Sequence, residues 1–208
     1  MHIVEPKVEL LFVTPDAEKM IERAGRTCYK SEDKITSDSS AKFVKMLRDK
    51  GHHAMLEHAY ATLLWITDRG VTHELVRHRI ASYAQESTRY CKYDDIAVIK
   101  PVLTTATEED IWYKAMLACE AAYGALRELG VAAQHARDVL PTCLKTEIVV
   151  TANFREWRHI TKLRSSASAH PKIQFLAKES LNILMKHAPN VFGDLTEHGP
   201  DVPGGLTW

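Results

Sequence analysis

Arg77-His78-Arg79-Ile80-Ala81-Ser82-Tyr83-Ala84-Gln85-Glu86-Ser87-Thr88-Arg89-Tyr90 marks a junction between a helix and a strand, and the fold is read outward from it. Gly70 to about Arg79 reads as a helix, and residues 82 to 90 read as a strand. Neighbours on a helix point about 100° apart, so Arg77, His78 and Arg79 cannot share one face, but they can fan around a site where the helix ends. On the strand, a period of two puts Gln85, Ser87 and Arg89 on one face and Ala84, Glu86 and Thr88 on the other. Guanidinium groups match phosphate or carboxylate bidentately, and Ser and Thr add neutral donors at short reach. The cluster therefore suits an anionic ligand. A plainer alternative is a basic helix end that complements its own macrodipole.

Upstream, Val8 to Val13 reads as a strand, and Thr14-Pro15-Asp16 opens a helix through Ala17, Met20, Ile21 and Ala24, with Thr14 as cap and Pro15 in the first turn. Ser39 or Ser40 is placed to cap a helix carrying Phe43, Val44 and Leu47, and Gly51 to end it. Residues 59 to 67 are rich in β-formers and read as a buried strand. Downstream, Thr107-Glu108-Glu109-Asp110 resembles a capping box for a helix with Trp112, Ala115, Met116, Cys119, Ala122, Tyr123, Leu126 and Leu129 at helical spacing. That stripe is either core or subunit interface. A short helix from Val131 to Leu140 stops at Pro141, a strand follows from about Cys143 to Asn153, and two or three helices complete the chain. Strands and helices without regular alternation predict an α+β fold, with a mixed or antiparallel sheet flanked by helices. Residues 196–208 are rich in turn formers and read as a flexible C-terminal arm that docks through Leu206 and Trp208, or as a frayed tail.

The 208 residues, 45% of them apolar, suffice for one substantial core, so a single domain over 1–208 is expected. Lys plus Arg equals Asp plus Glu at 27 each, so the net field gives no reason to expect nucleic acid or an anionic membrane as partner, and any anion site must be local. Cys28, Cys91, Cys119 and Cys143 form no Cys-x-x-Cys pair, which suits a reducing cytoplasm. The start Met-His-Ile-Val-Glu-Pro lacks a signal-peptide pattern, and no run approaches the roughly 18 apolar residues of a membrane helix. His73 and His78 are five apart, about 140° around a helix, which does not fit a shared zinc on one helix face, and no metal is expected. Other histidines, His52, His53 and His58 among them, leave a non-helical metal site as the alternative. Neither common glycine-rich phosphate loop is present.

The segment resembles the signature of the flavin-dependent thymidylate synthases: Arg-His-Arg, seven residues, Ser, and a further Arg two positions on, here Arg77, His78, Arg79, Ser87 and Arg89. Gly51-His52-His53-Ala54-Met55-Leu56-Glu57-His58, Ala136-Arg137-Asp138-Val139-Leu140-Pro141, Asn153-Phe154-Arg155 and Arg164 are similar to further segments of that family. The resemblance implies a thymidylate-synthase-complementing-protein-like fold and reductive methylation of dUMP to dTMP. It implies methylenetetrahydrofolate as one-carbon donor, NADPH as reductant, bound FAD, and a homotetramer whose active sites are shared between subunits.

It also implies roles. Ser87, Arg89 and Arg137 match positions that hold the substrate phosphate, with Gln85, Glu86, Thr88 and the segment Glu74-Leu75-Val76-Arg77 also in the dUMP set. Arg164 matches the catalytic arginine that stabilises an ionised uracil, a role resting on the resemblance, against a surface arginine as the alternative. Arg77, His78, Arg79, Gln85, Asn153, Phe154, Arg155 and His159 match the FAD set, with His52 as a flavin or folate contact or, equally, a capping or core histidine. Arg155 and His159 are one helical turn apart and can reach one ligand. Arg164 falls on the opposite face of a straight helix, so a bend or a second subunit is expected to bring it in. Cys91 lies two residues beyond Arg89 and reads as a structural thiol rather than a nucleophile. The chain departs from the family pattern at Glu74 and His159, where an amide is common, at Gln85, where an acid is common, and at Ser168-Ala169-His170. Two readings of other classes remain: a nucleotide- or RNA-binding module using the Arg and Ser row, and a structural oligomer that has lost its flavin.

Overall fold

The computed structural model describes residues 1–195. The predicted arm over 196–208 lies outside the described residues. In chain order the elements are β1 (His2–Ile3), β2 (Lys7–Val13), α1 (Ala17–Tyr29), α2 (Ser39–Asp49), β3 (Tyr60–Asp68), α3 (Arg69–Leu75), β4 (Ala81–Gln85), β5 (Ala97–Val98), α4 (Ala106–Glu128), α5 (Ala133–Ala136), β6 (Lys145–Asn153), α6 (Phe154–Arg164), α7 (Pro171–His187) and α8 (Pro189–Phe192), with short 3-10 turns between several of them. β2, β3, β6 and β4 lie in that order in one antiparallel sheet, and β1 pairs with β5 in parallel. The α+β expectation with an antiparallel sheet is met.

β3 and β6 form the centre of the sheet, and the pattern of period two explains why. Ala61, Leu63 and Trp65 of β3 stand opposite Ala152, Val150 and Ile148 of β6, and all six are buried. The helices α6 and α7 close over this face. Trp65 Nε1 donates to Ser180 Oγ at 2.9 Å and Trp157 Nε1 to the Ala61 carbonyl at 3.0 Å, so both buried indoles keep a partner. α1 packs on α2 so closely that a Cβ on Gly25 would meet Phe43 Cε1 at 2.6 Å. Gly51 has φ 74°, the left-handed turn that ends α2 as expected.

Four local expectations are corrected. Thr14 does not cap α1: its Oγ1 accepts from the Tyr60 amide at 3.0 Å, tying β2 to β3, and Asp16 takes the cap position in the left-handed region. Ser39 does not cap α2: it is already in the helix, and its hydroxyl donates to the buried Glu22 carboxylate at 2.9 Å. The capping box of α4 uses Thr105 with Glu108 rather than Thr107. The apolar stripe of α4 is only partly core, with Met116 and Tyr123 buried and Leu129 81% exposed. Among the described residues no helix is long and apolar enough to cross a membrane.

Candidate active site

α3 begins at Asp68, whose carboxylate accepts from the Val71 amide at 2.8 Å, and it stops at Leu75, earlier than the sequence predicts. The reason lies in the next turn. Arg77 and His78 amides donate to the Glu74 and Leu75 carbonyls at 3.3 and 3.1 Å, and the Tyr83 hydroxyl shares its one proton between the Leu75 and His78 carbonyls, 3.0 and 2.7 Å away. A side chain from β4 thus satisfies carbonyls that a longer helix would have used itself. Beyond this closed turn Arg77 and Arg79 are exposed and flank a buried His78.

β4 stops at Gln85, so the predicted row of donors on one strand face is not formed. After one more ladder bond from the Glu86 amide to the Glu147 carbonyl at 2.9 Å, the chain turns, and the Ser87 carbonyl accepts from the Tyr90 and Cys91 amides at 3.2 and 2.8 Å. Gln85 instead donates to Thr72 Oγ1 at 3.0 Å. Glu86 accepts from the Tyr93 hydroxyl at 2.6 Å and faces Lys145 at 3.4 Å. Thr88 is buried and accepts from Arg137 at 3.4 Å, which brings Arg137 to the turn carrying Ser87 and Arg89.

A cavity of about 920 Å³ opens between the end of α3 and the outer face of α6. Arg77, His78, Arg79, Asn153, Arg155, His159 and Arg164 all line it, so six of the predicted FAD residues and the predicted catalytic arginine converge there. Asn153 caps α6 through Oδ1, accepting from the Glu156 amide at 2.9 Å. Phe154 does not face this cavity: its side chain is fully buried, edge to face with Phe192 at 5.2 Å between ring centroids. Leu75 is also buried in the core. His52 lies outside the lining, its Nδ1 3.1 Å from the Tyr29 hydroxyl, while His53 takes a place in the wall. Ser87, Thr88, Arg89 and Arg137 do not line the cavity either. Within one chain, the residues matching the phosphate set and those matching the flavin set are apart.

The expected bend or second subunit is not needed for Arg164. It is the last residue of α6, and its long side chain is drawn across to the end of α3. Nε donates to His78 Nε2 at 3.0 Å, one terminal nitrogen to Glu74 Oε2 at 3.0 Å and the other to the Glu74 carbonyl at 2.9 Å. Burial, followed by the Arg164 and His159 charges, lowers the His78 pKa to about 4, so the ring is neutral at neutral pH. Since Nε2 accepts from Arg164, Nδ1 carries the proton, and it lies 3.5 Å from Glu156 Oε1.

Sequence reasoning missed Glu57, Glu156, Arg158 and Lys162 in this wall. The signal for two of them was present, because Arg158 and Lys162 follow Arg155 at three and seven residues, on the same helix face. Arg155 pairs with Glu57 at 2.6 Å and Arg158 with Asp194 at 2.6 Å, whereas no described carboxylate is paired with Arg77, Arg79 or Lys162. Unpaired cations beside ring and amide donors fit a diphosphate and an electron-rich ring system. His78, Glu156 and His159 could in geometry hold a metal, their ligand atoms lying within 4.8 Å of one another. His78 Nε2 is already taken by Arg164, however, and the surrounding cations oppose a divalent ion.

A family model described as thymidylate synthase complementing protein matches residues 9–190. The chain is 39% identical to the flavin-dependent thymidylate synthase of Geobacter sulfurreducens, over 97% of this chain and 93% of that protein. It is 37% identical to the enzyme of the same name from Corynebacterium glutamicum, over 86% and 79% of the two chains. Among solved structures, Thymidylate Synthase X from Helicobacter pylori, crystallised with FAD and dUMP, superposes with a TM-score of 0.79 at 25% identity, over 93% of this chain and 100% of that one.

Proposed function

The chain belongs to the thymidylate synthase complementing protein family, and from that membership we propose that it methylates dUMP reductively to dTMP with FAD as cofactor. The observation carrying this reading is the convergence of Arg77, His78, Arg79, Asn153, Arg155 and His159 on one cationic cavity. In our reading Arg77, Arg79 and Arg155 hold the cofactor's diphosphate, and His78, Asn153 and His159 contact the rest of it. The flavin, when bound, supplies hydride transfer. Methylenetetrahydrofolate is read as the one-carbon donor and NADPH as the reductant, following the family.

The chain's own residues then bind and polarise the nucleotide. Ser87, Arg89 and Arg137 position the dUMP phosphate as charge-assisted donors. Arg164 places fixed positive charge where the activated uracil ring becomes anionic, and it is preorganised by the three hydrogen bonds described above. Because the phosphate residues and the flavin residues are apart in one chain, we propose that a complete site takes the former from one subunit and the latter from another, within a homotetramer. We further read residues 1–208 as one domain acting in the cytoplasm on small-molecule substrates, without nucleic acid or membrane as partner.

The test is the visible spectrum after FAD is added and excess removed, followed by NADPH bleaching with and without dUMP. A retained yellow chromophore that NADPH bleaches and dUMP perturbs is expected. A colourless protein that binds neither ligand would sink the assignment.

A further inference from the structure

Glu74 falls among residues that the resemblance places against the nucleotide, yet one of its carboxylate oxygens and its carbonyl are both engaged by Arg164. Its carboxylate and its carbonyl hold two different nitrogens of Arg164, at 3.0 and 2.9 Å. His78 holds the third, at 3.0 Å. A guanidinium has five N–H donors, so these bonds fix its plane while leaving N–H groups for a ligand. Arg164 lines the 920 Å³ cavity, while Glu74 lines a separate cavity of about 400 Å³ with Trp112, Met116 and His170. The Glu74–Arg164 pair therefore forms part of the partition between the two. Glu74 approaches from the far side of that partition.

We infer that Glu74 is a positioning residue for Arg164 rather than a nucleotide contact, and that it acts by holding the guanidinium against the end of α3 so that its free N–H groups face the cavity. The physical reason is entropic as well as electrostatic. Arg has many rotamers, and an untethered Arg164 would have to be ordered anew at each turnover. A carboxylate also gives a stronger, charge-assisted anchor than an amide would. The inference rests on the proposed function, since it concerns which side chain acts on the nucleotide and which acts through another.

The experiment compares E74A, E74Q, R164A and the double variant E74A/R164A, each first checked for retained yellow FAD. For E74A we expect kcat to fall about 10- to 100-fold with the KM for dUMP within about threefold of the parent. E74Q should recover most of the rate, because its amide oxygen can still accept from Arg164. The double variant should be no slower than R164A, since Glu74 has nothing left to position. A KM for dUMP that rises tenfold in E74A with kcat unchanged would show direct nucleotide contact and overturn the inference, as would additive losses in the double variant. Loss of FAD from E74A while the parent protein stays yellow would also overturn it, by making the pair a structural support for the cavity. A colourless parent protein would instead sink the proposed function, and this inference with it.

Discussion

Lys172 Nζ lies 2.5 Å from Asp68 Oδ2, with both side chains only 5% exposed, and it also donates to the Ile99 carbonyl at 3.2 Å. This buried pair ties the start of α7 to the start of α3, and Asp68 caps α3 at the same time. Asp68→Asn should cost about 3–5 kcal/mol by stranding the lysine charge, and Asp68→Ala about 1 kcal/mol more by removing the cap as well. Urea midpoints of the two variants check this. Equal midpoints would mean that the cap contributes nothing.

Acid should act through His78. Its folded pKa of about 4 lies below the unfolded value of 6.5, so between these pH values the unfolded chain binds the extra proton. The contribution to stability is present above pH 6.5 and is lost as the pH falls towards 4, amounting to roughly 1–3 kcal/mol. Protonated His78 can no longer accept from Arg164. Denaturation midpoints recorded across this window should fall with pH in the parent protein and should do so less steeply in His78→Gln.

Phe154 and Arg155 are neighbours with opposite duties. Phe154→Ala removes a fully buried ring packed on Phe192 and should destabilise by about 3–5 kcal/mol. Arg155→Ala removes an exposed side chain paired only with Glu57, and should change stability by less than about 1 kcal/mol while weakening FAD retention. Thermal melts and flavin titrations of both variants separate the two effects. A stable Phe154→Ala variant would contradict the core assignment.

The proposed sharing of sites between subunits of a homotetramer makes a prediction about mixtures. Ser87→Ala and Arg164→Ala should each be inactive alone, because each breaks every site. Mixed tetramers formed by unfolding and refolding the two together should regain activity, since some sites then receive both intact residues. Mixtures as inactive as the separate variants would place both residues in sites made by one subunit.

The strongly patterned parts of the fold were legible from the sequence. β3 and β6 alternate buried and half-buried residues in a way that only a one-sided sheet explains, and α1 and α2 lie where their apolar spacing puts them. What misled was chemistry that depends on distant partners. Thr14 and Ser39 look like caps in isolation, but Tyr60 and Glu22 recruit their hydroxyls. The early end of α3 depends on the Tyr83 hydroxyl eight residues beyond Leu75. At the site, the gathering of Arg77 to Arg79 where the helix ends followed from local geometry, whereas the reach of Arg164 did not, because helix angles describe where a side chain starts and not where acceptors draw it.

β6 is the partner of both β3 and β4, and its residues stand opposite β3 residues 77 to 93 positions earlier, as Asp68 with Lys145 and Tyr60 with Asn153 show. A growing chain that has not yet reached Asn153 can pair β2 with β3 but leaves β4 without a partner. Closing so long a loop is slow, and until it closes the edge of β3 is open to other chains. Synthesis of the last third of the protein is therefore the step on which its escape from aggregation depends, and truncations before β6 should accumulate as insoluble material.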